Sequence, residues 1–171
     1  MSMIYSLLRV SPAELASYQE NSELLEHRLF SEEEDAAASH LDKAWDGIYC
    51  LLVGDSMANP ATDDESDSPF RAILFPGYSG QLVDAEQELG YGPAHYLTAE
   101  QVADASKQLA AVNLRERFEQ ADPAVLAECY YPFDEAWTED DFAYIVDYFA
   151  TLQEFFATAA ANGEAVISWL G

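Results

Sequence analysis

Three residues of the N-terminal half combine side chains that often meet at binding sites. Asp42, Trp45 and Asp46 fall on one predicted helix, where the two carboxylates, four residues apart, share a face. Their mutual repulsion destabilises a helix slightly unless a cation lies between them, so the spacing indicates a binding site. The alternative is that Trp45 packs in the core and Asp42 caps the start of the helix.

A second group lies in a segment rich in aromatic residues and glycine. Tyr91, His95 and Tyr96 follow one another closely around Gly90 and Gly92. Aromatic rings offer stacking surface and histidine titrates near neutral pH, so these residue types are suited to lining a ligand pocket. The alternative is a buried turn with satisfied tyrosine hydroxyls and an ordinary histidine.

A third pair of aromatic residues, Tyr131 and Trp137, brackets the acidic dipeptide Asp134-Glu135. Exposed aromatic rings beside negative charge form an adhesive surface for a protein partner. Anchoring of the two rings in the core is the alternative. With the two groups above, this pair completes the candidate ligand- or partner-binding residues.

Motifs for catalysis and for metal or cofactor binding are missing from the sequence. The stretch Gly77-Tyr78-Ser79-Gly80 places its second glycine one residue too early for a nucleophile elbow, and neither a phosphate-binding loop nor a dinucleotide fingerprint occurs. The histidines and cysteines lack metal-ligand spacing, and the loop around Asp63, Glu65 and Asp67 lacks the glycine and the distal glutamate of a calcium loop. We therefore expect no catalytic residue, no metal and no cofactor. This favours a non-enzymatic protein without deciding the question.

Charge is the strongest feature of the composition. Across 171 residues, 32 Asp and Glu stand against 7 Lys and Arg, which gives a formal net charge of -25 and a pI near 4.1. Phosphate backbones and anionic membranes bind clustered cations, so the composition argues against nucleic acid and membrane partners. The same field attracts cationic proteins and indicates a basic protein partner. The alternative is that the acidity serves only solubility.

Cysteine usage and the N-terminus indicate the compartment. Cys50 and Cys129 are far apart, without a C-x-x-C motif, and are interpreted as buried thiols suited to a reducing cytoplasm. The first nine residues lack the features of a signal peptide, and no apolar stretch reaches the roughly 20 residues that a membrane helix needs. We expect a soluble cytoplasmic protein.

Capping patterns and hydrophobic spacing predict the helices that must position these residues. The acidic run Ser31-Glu32-Glu33-Glu34 has the pattern of a helix start, and the leucines within 21–30 have helical spacing. Gly54 is expected to stop the helix that carries Trp45. The other predicted helices run from Ser11 to about Glu20, from Leu41 to Val53, from Thr98 to about Ala111, from Asp122 to Tyr131, and from Thr138 to Asn162.

Strand signals lie at the two ends of the chain. The first nine residues are interpreted as a strand, and the alternation of Glu164–Leu170 predicts a final strand that pairs with it. Residues 55–69 are expected to form a loop and Gly90–Leu97 an irregular segment, whereas Arg71–Phe75 fits either a strand or the end of a helix. We predict an α+β fold for residues 1–171, a single compact, helix-rich domain with a small sheet.

Several segments together resemble the YfbM-like family, a bacterial family classed as a domain of unknown function. They are Met3-Ile4-Tyr5, the 41–48 helix segment, Gly90–Leu97, the Tyr131-Pro132 turn and the aromatic terminal helix. The resemblance spans nearly the whole chain. It implies a compact, single-domain, cytoplasmic α+β fold and no particular activity.

Two hypotheses for function follow. The first is a non-enzymatic acidic binding protein, of an immunity or regulatory type, that engages a basic protein partner. The second is a small-molecule-binding protein or enzyme with a pocket near Gly90–Leu97 and the Trp45 helix. The second requires a concave pocket beside His95 or Asp46, whereas the first tolerates a flat acidic face.

Overall fold

The framework of the structure is a four-stranded antiparallel sheet with strands in the order β2-β1-β4-β3. The computed structural model describes residues 2–59, 66–129, 131–133 and 135–171. Tyr5 lies opposite Leu170 and Val10 opposite Ala165, so the two terminal strands pair along their whole length, as predicted. The strands are β1 (Tyr5–Val10), β2 (Ala38–His40), β3 (His95–Leu97) and β4 (Ala165–Leu170).

Within the described residues, eight α-helices surround the sheet. Short 3-10 helices at Asp42–Ala44 and Pro76–Ser79 precede the third helix and follow the fourth. The α-helices are α1 (Pro12–Glu20), α2 (Glu23–Leu29), α3 (Trp45–Val53), α4 (Pro69–Leu74), α5 (Ala99–Ala110), α6 (Leu114–Gln120), α7 (Pro123–Glu128) and α8 (Glu139–Ala161).

Capping boxes begin α1 and α5, as predicted, and a third capping box begins α8 at the predicted start. Ser11, Thr98 and Thr138 each accept a hydrogen bond from the backbone N–H three residues later, and the side chain at that later position accepts one from the backbone N–H of the cap. These reciprocal bonds satisfy backbone donors that a helix leaves open at its start.

The helices divide between the two faces of the sheet. Leu7 of β1 and Val166 of β4 belong to the larger core cluster, together with buried residues of α3, α5 and α8. Leu8 and Ile167 point to the opposite face and belong to a smaller cluster, which α1 and α2 cover. The two central strands, β1 and β4, are therefore covered on both faces, whereas Ala38 and His40 of the edge strand β2 are exposed.

Glycines shape both ends of the α3 region. Gly47 lets α3 approach α8 closely, because a Cβ at this position would collide with the side chain of Ile145. Gly54 ends α3 in the left-handed conformation, with φ of 95°, as predicted for this stop. The predicted helix over 41–53 thus begins with a 3-10 turn and ends where expected.

The acidic run at 31–34 does not start a helix, which corrects the sequence prediction. Residues 31–37 form bends and a turn. Ser31 Oγ accepts a hydrogen bond from the Glu33 N–H at 3.3 Å, a short-range bond that competes with helix formation. Arg28 Nε forms a salt bridge with Asp35 Oδ2 at 2.7 Å. The residues that follow, Ala38–His40, are extended because they pair with β1.

Three further differences concern short elements. The sequence of Arg71–Phe75 fits either a strand or the end of a helix. In the structure these residues belong to helix α4 as far as Leu74. The segment Gly90–Leu97 is irregular only to Ala94, because its last three residues pair with β4 as β3. Helix α6 is absent from the prediction. The Asn113 side chain caps it by accepting a hydrogen bond from the Glu116 N–H at 3.1 Å.

Cys50 and Cys129 form a disulfide, which corrects their interpretation as free thiols. Both side chains are buried, as predicted, and their Cα atoms lie 6.2 Å apart, within the span that a disulfide allows. The bond joins α3 to the residue that follows α7. Because the two cysteines are 79 residues apart, no local sequence pattern indicates that they pair.

The polar stretch predicted as a loop is described only at its ends. Residues 55–59 and 66–68 contain no helix or strand, whereas Asp63 and Glu65 of the calcium-loop comparison lie outside the described residues. None of the described helices is both long enough and apolar enough to cross a membrane.

Candidate functional site

A cavity of about 390 Å³ opens beside His95 on the side of the sheet that faces the larger core cluster. We call it the His95 pocket. Its volume falls in the range of small-ligand sites. It is lined by Met57, Phe75, Gly77, Tyr78, Leu82, Tyr91, Pro93, His95 and Leu170.

His95 enters the pocket from β3. It lies opposite Ser168 of β4 and, two residues from Leu97, points to the same face as this core leucine. Its ring meets Phe75 edge to face, with the ring centroids 5.7 Å apart. The strand thus fixes the direction of the imidazole, and Phe75 supports its ring.

The backbone N–H of Gly77 fixes the tautomer of His95. It donates to Nδ1 at 2.7 Å, so the proton of the neutral imidazole resides on Nε2. No residue that the structure describes forms a hydrogen bond with Nε2. Burial lowers the pKa of His95 from 6.5 to about 4, because the charged ring would lose its hydration. At neutral pH His95 is an uncharged N–H donor.

Gly77 is required for this contact. A Cβ on Gly77 would lie 2.5 Å from His95 Nδ1 and 2.6 Å from Leu82 Cδ2. Only glycine therefore allows the 3-10 helix Pro76–Ser79 to approach the imidazole so closely.

Phe75 forms the floor of the pocket. It is buried, and its ring packs edge to face against Tyr5, Trp45 and Tyr49 with centroid distances of 5.5 to 5.8 Å. The aromatic core therefore continues directly into the pocket, and the floor is rigid.

One wall consists of Met57 and Tyr78. The Tyr78 hydroxyl donates to Met57 Sδ at 3.2 Å, and the Arg71 guanidinium lies 4.2 Å from the centre of the Tyr78 ring. Tyr78 is 55% exposed and Tyr91, across the pocket mouth, is 43% exposed, so both rings are accessible from solvent.

Asp46 positions this wall from beneath. Its buried carboxylate accepts hydrogen bonds from Ser56 Oγ at 2.6 Å, from the Met57 N–H at 2.7 Å and from the Ala58 N–H at 3.1 Å. Burial raises the pKa of Asp46, and the three donors oppose this shift. Asp46 is therefore a positioning residue that holds the chain after α3 against the pocket.

The other two members of the predicted helix group have structural contacts. Trp45 is buried, and its Nε1–H donates to the Met3 carbonyl at 3.0 Å. Asp42, with φ of 48°, accepts a hydrogen bond from the Tyr144 hydroxyl at 2.8 Å. The carboxylates of Asp42 and Asp46 thus make separate contacts and do not form one site.

The remaining predicted residues lie away from the pocket. Tyr96 packs against the smaller core cluster, on the face of β3 opposite His95. The Tyr131 hydroxyl donates to the Met3 carbonyl at 3.2 Å, and Trp137 Nε1–H donates to the Cys129 carbonyl at 2.8 Å. Both rings are anchored at the edge of the larger cluster. Of the predicted acidic dipeptide, Asp134 lies outside the described residues.

Sequence reasoning missed most of the residues that build the pocket. Phe75, Met57, Leu82 and Pro93 carry no motif, and they come together only through the fold. The signal that could have found Phe75 and Tyr78 is the Phe-Pro-Gly-Tyr stretch itself, in which an exposed aromatic follows a tight turn.

A larger depression of about 590 Å³ lies between α6 and α8. The Arg115 guanidinium lies 4.2 Å from the centre of the Phe142 ring in this depression and forms a salt bridge with Glu139 at 3.0 Å. The apolar floor of the depression is therefore already in contact with a side chain of the protein. The His95 pocket differs because it contains a donor held in one tautomer and accessible aromatic rings. For this reason we regard it as the candidate site.

The described side chains of the His95 pocket limit the contacts that it can make. Among the described residues, no group of three His, Cys, Asp or Glu side chains is placed to hold a metal ion. The described lining residues contain no carboxylate beside His95 that would orient it as a base. The arrangement offers ring surfaces and one directed N–H donor.

Comparison with known proteins agrees with this fold. The chain matches the family described as "Domain of unknown function (DUF1877)" over residues 1–169, and it belongs to that family. No curated protein sequence matches the chain significantly.

A solved structure from Escherichia coli, YfbM, described as a protein of unknown function, has a similar fold. The TM-score is 0.67 at 18% sequence identity, and the match covers 100% of both chains. The YfbM-like resemblance predicted from the sequence is confirmed, and at this identity the likeness shows the fold alone.

Proposed function

We propose that this protein binds a small molecule in the His95 pocket and that binding, without chemical conversion, is its function. The observation that carries the proposal is the 2.7 Å bond from the Gly77 N–H to His95 Nδ1, which leaves Nε2–H as a directed donor in a cavity lined by aromatic rings. Preorganised donors of this kind give a pocket its specificity.

The support for this proposal comes from rigidity as well as composition. His95 lies on a strand, Phe75 is buried among three other aromatic rings, and Met57 is tied to Asp46. A pocket whose walls are already in place loses little conformational entropy when a ligand enters.

A fragment library tested by ligand-observed NMR examines the proposal directly. Leu82→Trp places a larger side chain in the cavity, and we expect it to abolish the signals of fragments that bind the wild-type protein. Leu24→Trp is the matched control, because Leu24 is exposed on α2 and does not line the pocket. Equal binding of the same fragments to all three proteins would refute the assignment of the site.

A second candidate function is recognition of a basic protein. The observation that favours it is the excess of 32 acidic over 7 basic residues, together with the exposure of acidic side chains at Glu32, Glu33 and Glu34 and at Glu139 and Asp140. Such a surface accelerates encounter with cationic proteins.

Salt dependence tests this second candidate. A defined basic protein captured from native lysate at low salt, released at high salt and bound again after purification would support it. If nothing basic rebinds as a purified protein, the acidic surface has no stable protein partner. This outcome leaves the His95 pocket unaffected.

A cytoplasmic location is also part of the proposal, and cell fractionation tests it. The protein should be recovered in the fraction that contains a cytoplasmic marker. Because the cytoplasm keeps most thiols reduced, the Cys50–Cys129 disulfide favours an oxidising compartment instead, and recovery with a marker of such a compartment would refute the cytoplasmic location.

A further inference from the structure

We propose that the ligand of the His95 pocket is an uncharged, planar heteroaromatic compound whose edge carries a hydrogen-bond acceptor for His95 Nε2. This inference names the ligand class and rests on the proposed function. It follows from the donor, the charge and the shape of the pocket.

The donor specifies an acceptor on the ligand. Gly77 occupies Nδ1 at 2.7 Å, so the imidazole presents only Nε2–H to a ligand. His95 is partly buried, and its Nε2 is accessible from the pocket, so a ligand that supplies an acceptor gains a directed hydrogen bond that an isosteric hydrocarbon does not.

The charge of the site disfavours ions of either sign. The described lining residues contain neither a carboxylate nor a Lys or Arg side chain, so an ionic ligand would lose hydration without finding a counter-ion. An anion also meets the field of a chain with net charge -25. A cation would be repelled by the partial positive charge on the hydrogen of Nε2. The Arg71 guanidinium already stacks on the Tyr78 ring, 4.2 Å from its centre, so this ring has a cation beside it.

The shape of the site selects a flat molecule. Phe75 presents a buried ring at the floor, and Tyr78 and Tyr91 present accessible rings at the mouth. Leu82, Pro93 and Leu170 complete an apolar lining. Aromatic rings offset or edge to face on such surfaces add affinity beyond the area that they bury. A cavity of about 390 Å³ accommodates a two-ring compound.

Three two-ring probes separate these determinants, of which quinoline and naphthalene are isosteric and N-methylquinolinium is larger by one methyl group. Quinoline carries a ring-nitrogen acceptor, naphthalene has the same shape without it, and N-methylquinolinium carries a positive charge and no acceptor. At about pH 8 quinoline is uncharged and His95 is neutral. We expect ligand-observed NMR titrations to show quinoline binding up to about tenfold more tightly than naphthalene, the effect of one net hydrogen bond, with the cation weakest.

A substitution locates the preference at His95. His95→Asn keeps a side-chain oxygen for the Gly77 N–H but replaces Nε2–H by a shorter amide that does not reach the same position, so the preference for quinoline over naphthalene should fall. Tyr96→Phe is the matched control, because Tyr96 lies on the opposite face of β3, and it should keep the full preference.

The outcomes separate this inference from the proposed function. Equal binding of quinoline and naphthalene to the wild-type protein would overturn the acceptor inference and leave a small-molecule pocket. Tightest binding of N-methylquinolinium would overturn it in favour of an aromatic cage for cations. Absence of binding by all three probes in the wild-type protein would overturn both.

Discussion

The backbone N–H of Met57 donates a hydrogen bond to Asp46 Oδ1 at 2.7 Å, which joins a buried carboxylate of α3 to the wall of the His95 pocket. Asp46 of the first candidate group and His95 of the second, which are far apart in the sequence, are therefore linked through the wall of one pocket. Asp46 acts through Met57, whose sulfur accepts the bond from Tyr78.

Asp46→Asn should destabilise the protein by about 2 kcal/mol, because one amide oxygen cannot accept all three hydrogen bonds that the carboxylate accepts. The same change should weaken quinoline binding by loosening Met57. Urea unfolding and NMR titration measure the two effects. Asp140→Asn, at an exposed position of α8, is the control. Unchanged stability of Asp46→Asn would show that the carboxylate does not hold this segment.

How much of this unit the sequence predicts depends on the range of the interactions. Capping boxes at Ser11 and Thr98 are local, and they are predicted correctly, as is the helix start at Thr138. The sequence also singles out His95 and Asp46 as candidates, since histidine and paired carboxylates stand out by type, and their role in a site stays a prediction. The contact between Met57 and Tyr78 spans 21 residues and depends on tertiary packing, which no local pattern encodes.

The free energy of unfolding should fall as the pH decreases from about 6.5 to about 4 because of His95. In this window the unfolded chain binds a proton on the imidazole and the folded protein excludes it, so protonation favours unfolding. Above pH 6.5 both states are neutral and His95 contributes no pH dependence; below about 4 both are charged. The full effect is about 3 kcal/mol.

Urea unfolding of the wild-type protein and His95→Asn across this window isolates the contribution of His95. The difference in unfolding free energy between them should shrink as the pH falls, since only the wild-type protein has this titrating group. Parallel stability curves would contradict a buried neutral His95.

Gly47→Ala should destabilise the protein by about 1 to 3 kcal/mol, although alanine favours helices, because the new methyl group collides with Ile145 across the α3 and α8 interface. Ile145→Val removes the colliding Cδ1 atom. In a double-mutant cycle, Gly47→Ala should therefore cost less in the Ile145→Val background than in the wild-type protein. Equal costs in both backgrounds would show that the helices are not in this close contact.

Reduction of the Cys50–Cys129 disulfide should lower the unfolding free energy by about 4 kcal/mol, the cost of freeing a loop closed over 79 residues. Urea unfolding with and without dithiothreitol measures this effect, and a Cys50→Ala, Cys129→Val variant should not respond to the reductant. Two thiols labelled in the oxidised, denatured wild-type protein would contradict the disulfide.

The central claim, that the His95 pocket binds a small molecule, is tested most directly with ¹³C-methyl methionine. The chain contains three methionines, of which Met57 lines the pocket and Met3 packs elsewhere in the core. On titration with quinoline, the Met57 methyl resonance should shift and saturate, while the Met3 resonance stays in place. A shift of Met3 without Met57, or no shift of Met57 at saturating quinoline, would contradict the claim.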